Sequence, residues 1–136
     1  MNTKHLIIHT DGGARGNPGP AGIGAVLKNT SGEIVAEVSE YIGETTNNQA
    51  EYKAVIAAMD KAKELGAQEL DLYLDSELVV KQLNGEYKVK NKDLAPLFVK
   101  IYNAGLSFKK VVYRHIPREM NKEADKLANM AMDRGR

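Results

Sequence analysis

The hydrophobic pattern of this chain changes its period near Asn47, and this change constrains the fold more than any other feature. Before Asn47, three short segments are apolar and β-branched, which is typical of strands in an antiparallel meander. After it, apolar residues recur at helical spacing, and helical segments alternate with strand-like ones. This order predicts an α/β fold with a five-stranded mixed sheet, three antiparallel strands followed by two parallel strands, flanked by helices.

Turn residues set the boundaries of the predicted elements. The segment 12–22 (GGARGNPGPAG) is rich in glycine and proline and is predicted to be a loop. Thr46 and Gln49 predict a capping box at a helix start, and Gly66 predicts that helix's end. The predicted strands are His5–Thr10, Ile23–Lys28, Glu33–Tyr41, Leu70–Leu74 and Phe108–Arg114, and the predicted helices are Asn47–Leu65, Ser76–Leu83, Asp93–Asn103 and Glu119–Asp133.

Length and composition bound the class of protein. The 136 residues suit one domain, residues 1–136, and no apolar run is long enough to span a membrane. The absence of cysteine excludes disulfides, thiol nucleophiles and cysteine zinc sites, and it fits a cytoplasmic location. We expect a monomer with no membrane partner. The net charge of +1 hides a basic segment, residues 84–118, with eight lysines and arginines against two acids, which indicates phosphate contacts or a solvated face.

Four acidic residues occupy positions where a carboxylate is unusual. Asp11 and Asp75 end two predicted strands, and ligand sites in open α/β sheets gather at the carboxyl ends of strands. Glu51 and Asp125 share the apolar faces of two predicted helices, where an unpaired carboxylate is costly. Oxygen ligands without cysteine favour Mg²⁺ or Mn²⁺, and two such ions about 4 Å apart suit phosphodiester hydrolysis. Each acid taken singly is more typical of a surface residue, but their coincidence predicts metal-dependent phosphoryl chemistry.

Four motifs, in their order along the chain, resemble those of ribonuclease HI. They are DGGARGNPGP (11–20), TTNNQAE (45–51), LDS (74–76) and NKEADKLA (121–128). The resemblance implies a ribonuclease H-like fold and a single ribonuclease H domain. It also implies endonucleolytic hydrolysis of the RNA strand of RNA–DNA hybrids by two-metal-ion catalysis, leaving 3′-hydroxyl and 5′-phosphate ends. The residues that match the family's catalytic metal ligands, for two Mg²⁺ or Mn²⁺ ions, are Asp11, Glu51, Asp75 and Asp125.

The same resemblance implies that loop residues contact the RNA–DNA hybrid. The matching residues are Gly12, Gly13, Asn17, Thr46, Asn47, Asn48 and Gln49. Asn and Gln amides can sense a 2′-hydroxyl, which is both donor and acceptor, and glycines allow the RNA backbone to approach closely. Each of these residues could instead serve a turn or a helix cap, and for Asn17 and Thr46 the two roles can coexist.

Two residues before the last helix are alternatives for a further catalytic role. His115 lies ten residues before Asp125, the spacing at which the family often has a histidine that assists catalysis. Here Ile116-Pro117-Arg118 replaces the longer, glycine-containing loop of bacterial relatives. Arg118 could therefore approach the leaving phosphate, with His115 a structural residue. Residues 84–92 are short and lack tryptophan, which resembles compact family members without a basic protrusion and predicts salt-sensitive binding.

Two other functions stay open at this point. A non-catalytic module that binds hybrids would keep the fold, but it would be expected to have lost at least one of the four acids, and all four are present. Another nuclease or recombinase of the same wider fold would act on DNA, and the intact TTNNQAE motif argues against it. A comparison of hybrid, duplex RNA and duplex DNA as substrates distinguishes the three functions.

Overall fold

A computed structural model describes residues 2–136 as a five-stranded sheet with helices on both faces. The strand order is β3-β2-β1-β4-β5, in which β1, β2 and β3 pair antiparallel while β4 and β5 run parallel to β1. The mixed sheet expected from the change in hydrophobic period is thereby confirmed. The strands are β1 His5–Ala14, β2 Gly19–Asn29, β3 Ile34–Thr45, β4 Glu69–Leu74 and β5 Lys110–His115.

The helices begin and end close to the predicted positions. They are α1 Asn47–Glu64, α2 Glu77–Leu83, α3 Ala95–Gly105 and α4 Lys122–Arg134, with a 3₁₀ turn at Arg118–Met120. The Thr46 hydroxyl oxygen caps α1 by accepting a hydrogen bond from the Gln49 backbone N–H. Gly66 follows α1 in the left-handed region at φ 77°. The other half of the predicted capping box is not formed, because Gln49 Oε1 accepts from the Thr45 hydroxyl. The last helix is predicted to begin at Glu119, but Arg118–Met120 form a 3₁₀ turn and α4 begins at Lys122.

The prediction that residues 12–22 form a loop is wrong. Strand β1 continues to Ala14, β2 starts at Gly19, and Gly13 pairs with Gly22, so only residues 15–18 lie between the strands. Glycine there serves close packing more than chain reversal. A Cβ on Gly12 would lie 2.2 Å from the Ala50 carbonyl oxygen in α1, and a Cβ on Gly22 would lie 2.6 Å from the Ala128 carbonyl oxygen in α4. The two helices therefore contact the strand backbones directly.

The two faces of the sheet are packed differently. The face toward α1 holds a core of large apolar side chains, and each buried leucine or isoleucine there contributes about 1.5–3 kcal/mol. The face toward α4 is packed with glycine and alanine, and a Cβ on Gly24 would lie only 2.3 Å from the Ala124 carbonyl oxygen. This difference brings the backbone of α4 close to β2 and fixes where residues at the start of α4 lie. The central core residues are Leu6, Ile8, Ile23, Leu27, Val55, Met59, Leu70 and Leu72.

None of the helices in the part of the chain that the structure describes has the length and apolarity needed to cross a membrane.

The contact between Gly12 and α1 can be tested with a matched pair of substitutions. We expect Gly12→Ala to lower the free energy of unfolding by about 1–3 kcal/mol or more, because the new methyl group overlaps the backbone of α1. Gly13→Ala should change it by less than about 1 kcal/mol, because its Cβ would meet only Asn47 and Met132 side chains at 3.8 and 3.9 Å. Urea denaturation of both variants measures the difference. Equal stability of the two variants would contradict the packing described here.

Candidate active site

Strands β1 and β4 bring two carboxylates to the same edge of the sheet. The strands are parallel neighbours, and Thr10 pairs with Leu74. Asp11 and Asp75 are the residues that follow this pair, and they therefore lie side by side at one edge of the sheet. Asp11 is 9% exposed, so its carboxylate is largely removed from water.

The start of α1 supplies the third carboxylate. Glu51 lies in the second turn of α1, directly after Ala50, whose carbonyl contacts Gly12. This close approach brings one carboxylate oxygen each of Asp11, Glu51 and Asp75 within 4.8 Å of one another. Glu51 is 8% exposed, as its position on an apolar helical face predicted. Its Oε2 atom is buried and has no hydrogen-bond partner among residues 2–136.

Asp125 on α4 closes the group of acids from the other face of the sheet. Its side chain is half-buried because it faces an open cleft of about 460 Å³ that Asp11, Glu51 and Asp75 also line. The structure therefore brings all four acids named from the sequence into one cleft. The full lining is Asp11, Gly12, Gly13, Ala14, Arg15, Asn47, Asn48, Glu51, Asp75, Ser76, Arg118, Asp125, Asn129 and Met132.

Burial and mutual repulsion make these carboxyl groups reluctant to ionise together. Burial, followed by the negative charges of Asp75 and Asp125, raises the pKa of Asp11 to about 8. Burial and the charges of Asp11 and Asp75 raise the pKa of Glu51 well above its ordinary value, and the positive charge of Arg118 opposes this shift. Without a cation, part of the cluster therefore stays protonated at neutral pH.

The donor set fits a hard divalent cation. It consists of carboxylate oxygens with no sulfur, which favours Mg²⁺ or Mn²⁺ over zinc. The buried, unpartnered Glu51 Oε2 supports this fit, because a buried carboxylate oxygen needs a donor or a cation to offset its lost hydration. Asp11, Glu51, Asp75 and Asp125 are the residues that could hold such ions.

The predicted hybrid-binding residues lie in and beside the cleft. Gly12, Gly13, Asn47 and Asn48 line it, whereas Asn17, Thr46 and Gln49 are not among the lining residues. Asn17 and Asn47 link the loop after β1 to the start of α1. Asn17 Oδ1 accepts from the Asn47 backbone N–H at 3.0 Å, and Asn47 Oδ1 accepts from the Ala14 backbone N–H at 2.8 Å.

The amide oxygen of each asparagine therefore already accepts a hydrogen bond, so the side-chain NH₂ group is the part that can bind a ligand.

Arg118 and His115, the two alternatives for a further catalytic residue, lie in different places relative to the cleft. Arg118 lies in the 3₁₀ turn and lines the cleft, where its charge acts on Glu51. His115 ends β5, is exposed, and is not among the lining residues. Its position is instead close to Glu77 in the first turn of α2, whose pKa is lowered first by a hydrogen bond with Lys81 and further by the charge of His115.

Some residues of the cleft were not singled out from the sequence. Arg15 is held against the last turns of α4 by an ion pair with Asp133 at 2.7 Å and by the Asn129 side chain at 3.3 Å. Ser76 caps α2 by accepting from the Val79 amide. The position of Arg15 in the glycine-rich motif and that of Ser76 directly after Asp75 were signals that could have identified both residues.

The first part of the basic segment, residues 84–94, forms an exposed connection between α2 and α3. Lys88, Lys90 and Lys92 are exposed there, and the ammonium group of Lys81 lies 5.0 Å from the centre of the Tyr87 ring. The connection, residues 84–94, is made of turns and irregular backbone. This agrees with the compact form expected from the sequence.

Comparison with known proteins adds to this geometry. A family model described as reverse transcriptase-like matches residues 9–131. The bifunctional protein Rv2228c of Mycobacterium tuberculosis is 46% identical over 129 residues, which cover 94% of this chain and 35% of that protein. A ribonuclease H of Prosthecochloris aestuarii is 34% identical, and the match covers 98% of this chain and 99% of that protein. The solved structure of LC11-RNase H1 in complex with an RNA/DNA hybrid has a TM-score of 0.91 and 48% identity, covering 95% of this chain and 97% of that one.

These similarities differ in how much of each relative they cover. The chain spans about a third (35%) of the length of the mycobacterial relative and nearly all (99%) of the Prosthecochloris ribonuclease H. Sequence identity and the shared fold both place this chain among the ribonucleases H. The chain belongs to the ribonuclease H family, within the group described as reverse transcriptase-like.

Proposed function

We propose that this chain is an endoribonuclease that hydrolyses the RNA strand of RNA–DNA hybrids and leaves 3′-hydroxyl and 5′-phosphate ends. The observation that carries the proposal is the cleft in which Asp11, Glu51, Asp75 and Asp125 converge on a ribonuclease H fold. A related structure at 48% identity is that of a complex with an RNA/DNA hybrid, which supports the same class of substrate. The cytoplasmic location and the monomeric state expected from the sequence stay predictions.

The four carboxylates are proposed to hold two Mg²⁺ or Mn²⁺ ions. When bound, such ions would supply Lewis-acid activation of water and charge stabilisation at the leaving oxygen. The protein's own part is to hold the carboxylates close together despite their repulsion. Asp11, Glu51 and Asp75 form a group with oxygens within 4.8 Å of one another, and Asp125 lines the same cleft.

Hybrid recognition is proposed to use the amide NH₂ groups of Asn17 and Asn47. Because backbone N–H groups occupy both amide oxygens, each side chain presents a donor, which suits a phosphate oxygen or a 2′-hydroxyl acting as acceptor. Gly13, Asn47 and Asn48 line the acidic cleft, and Asn17 lies beside it, bonded to the backbone of Asn47. The basic residues of segment 84–118 are proposed to contact phosphates, which makes binding sensitive to salt.

Arg118 is proposed as the side chain that stabilises charge on the leaving phosphate, in preference to His115. Arg118 lines the cleft with the four acids, whereas His115 lies near Glu77 at the start of α2. A guanidinium presents a planar fork of N–H donors that matches the oxygens of a phosphate. It stabilises charge without transferring a proton.

We expect the wild-type chain to cleave the RNA strand of a labelled hybrid in the presence of Mg²⁺ or Mn²⁺. Asp75→Asn should reduce the rate of RNA cleavage at least about 100-fold, because it replaces a negatively charged carboxylate ligand with a neutral amide. Asp71→Asn is the matched control, since Asp71 lies on the same strand but pairs with His5 at 2.6 Å, away from the cleft. End mapping of the products tests the 3′-hydroxyl and 5′-phosphate chemistry.

Other outcomes of the same assay would replace the proposal. Cleavage of duplex DNA without cleavage of the hybrid would favour a DNA nuclease or recombinase of this fold. Tight hybrid binding without cleavage under either metal would favour a binding module. Equal activity of the wild type and Asp75→Asn would contradict the assigned site.

We expect the free energy of unfolding of the metal-free protein to fall as the pH rises from about 4 to about 8. The pKa of Asp11 is raised from 3.8 to about 8, so in this range the folded protein keeps a proton that the unfolded chain has released. The protonated carboxyl is the form that folding favours, and each such group makes stability fall by up to about 1.4 kcal/mol per pH unit.

Urea denaturation of the wild type and Asp11→Asn in EDTA at pH 5 and pH 7.5 checks this expectation. The wild type should lose more stability between the two pH values than the variant does. Added Mg²⁺ should stabilise the wild type more at pH 7.5, because the cation replaces the retained proton. Parallel pH dependence of the two proteins would contradict the raised pKa of Asp11.

Substitution of the two candidate residues separates their roles. We expect Arg118→Ala to lower kcat about 10-fold or more, the typical worth of a charge-assisted hydrogen bond. His115→Ala should change kcat less than about 3-fold. Single-turnover cleavage under saturating Mg²⁺ measures both variants. A larger loss in His115→Ala than in Arg118→Ala would reverse the assignment.

A further inference from the structure

Asn121 connects three of the segments that build the acidic cleft. Its side chain is 1% exposed and lies directly before α4. Its Nδ2 donates to the carbonyl oxygen of Thr10 at 2.8 Å and to Asp75 Oδ2 at 2.9 Å. Its own backbone carbonyl accepts from the Asp125 N–H at 3.1 Å. One residue thus contacts the strand that carries Asp11, the carboxylate of Asp75 and the helical turn that carries Asp125.

The amide of Asn121 can have only one orientation here. Both of its neighbours are acceptors, a carbonyl and a carboxylate, so the NH₂ group must face them. This orientation leaves Asn121 Oδ1 buried and without a partner among residues 2–136, which carries a free-energy cost. The Nδ2 group of Asn121 therefore donates two hydrogen bonds while its Oδ1 atom accepts none.

Asn121 does not serve the role that its position would ordinarily give it. An asparagine at a helix N-cap normally accepts a hydrogen bond from an amide in the first turn. The Asn121 side chain makes no such capping bond to α4, although it occupies the N-cap position. Its amide faces Asp75 instead. A purely structural role as a helix cap therefore does not explain the contact.

We propose that Asn121 is a positioning residue for the cation site, and this inference rests on the proposed metal-dependent function. By donating to Oδ2 of Asp75, it restricts the rotation of a carboxylate that has one oxygen within 4.8 Å of oxygens of Asp11 and Glu51. Through its contacts with Thr10 and Asp125, the same residue links β1, directly before Asp11, to the first turn of α4. Hydrogen bonds to ligating carboxylates typically change metal affinity 10–100-fold.

The test compares Asn121→Ala with Asn29→Ala. Asn29 is also a buried asparagine, 3% exposed, and its amide bonds to Glu33 and to the backbone of Ser31. It lies beside Leu6, at the other end of β1, so its loss costs stability without touching the cleft. Mn²⁺ binding is measured by calorimetry without substrate, and kcat and KM are measured on an RNA–DNA hybrid.

We expect Asn121→Ala to weaken Mn²⁺ binding about 10-fold or more and to lower kcat, with KM for the hybrid changed less than about 2-fold. Asn29→Ala should lower the midpoint of thermal unfolding and leave Mn²⁺ affinity unchanged. Wild-type Mn²⁺ affinity in Asn121→Ala, with only a stability loss like that of Asn29→Ala, would overturn the proposal. The calorimetric measurement is independent of nuclease activity, so it separates failure of this inference from failure of the proposed function.

A measurement on the wild type covers the case in which Asn121→Ala does not fold. The side-chain amide protons of Asn121 should exchange slowly with solvent and shift in NMR spectra as Mg²⁺ is added, because their acceptor Asp75 becomes a ligand. The side-chain amide of Asn29 provides the internal reference and should not shift. An Asn121 amide signal that is insensitive to saturating Mg²⁺ would overturn the proposal.

Discussion

The confinement of several carboxylates, two of them buried, around one cleft is the constraint on which the rest of this structure depends. Oxygens of Asp11, Glu51 and Asp75 lie within 4.8 Å of one another, and Asp11 and Glu51 are buried. Such a cluster repels itself, as the raised pKa of Asp11, about 8, reflects. The fold must therefore hold these groups together by packing energy gained elsewhere, chiefly the apolar core between the sheet and α1. Protons or divalent cations are the two ways to relieve the repulsion.

Close backbone packing is how the fold keeps the carboxylates together. Gly12 lets α1 approach β1, which brings Glu51 to Asp11, and Gly24 lets α4 approach β2, which brings Asp125 to the same cleft. Asn121 then connects Thr10 in β1, the carboxylate of Asp75 and the start of α4. The geometry of the acidic cleft is thus set by contacts within the scaffold, and Asn47 and Arg118 line the same cleft.

Much of this arrangement could be predicted from the sequence where the signal is local. Asp11 and Asp75 were identified because they follow the predicted strands His5–Thr10 and Leu70–Leu74, and Glu51 and Asp125 because they share apolar helical faces. Strand β1 continues past Asp11 to Ala14. The role of Gly12 and Gly22 could not be predicted, because the helix backbones they contact are distant in sequence. The donor role of Asn121 was missed for the same reason. The choice between His115 and Arg118 depended on the path of the 3₁₀ turn at Arg118–Met120, which local pattern does not specify.

The central claim is that the four acids form a divalent-cation site at which the RNA strand of a hybrid is cleaved. Anomalous scattering from Mn²⁺ in crystals of an Asp75→Asn or wild-type complex with an RNA–DNA hybrid tests this most directly. In the wild type we expect Mn²⁺ peaks ligated by the four acids, Asp11, Glu51, Asp75 and Asp125, next to a phosphate of the RNA strand, and weakened peaks in the variant. Mn²⁺ bound elsewhere, or the DNA strand at the acids in place of RNA, would contradict the account.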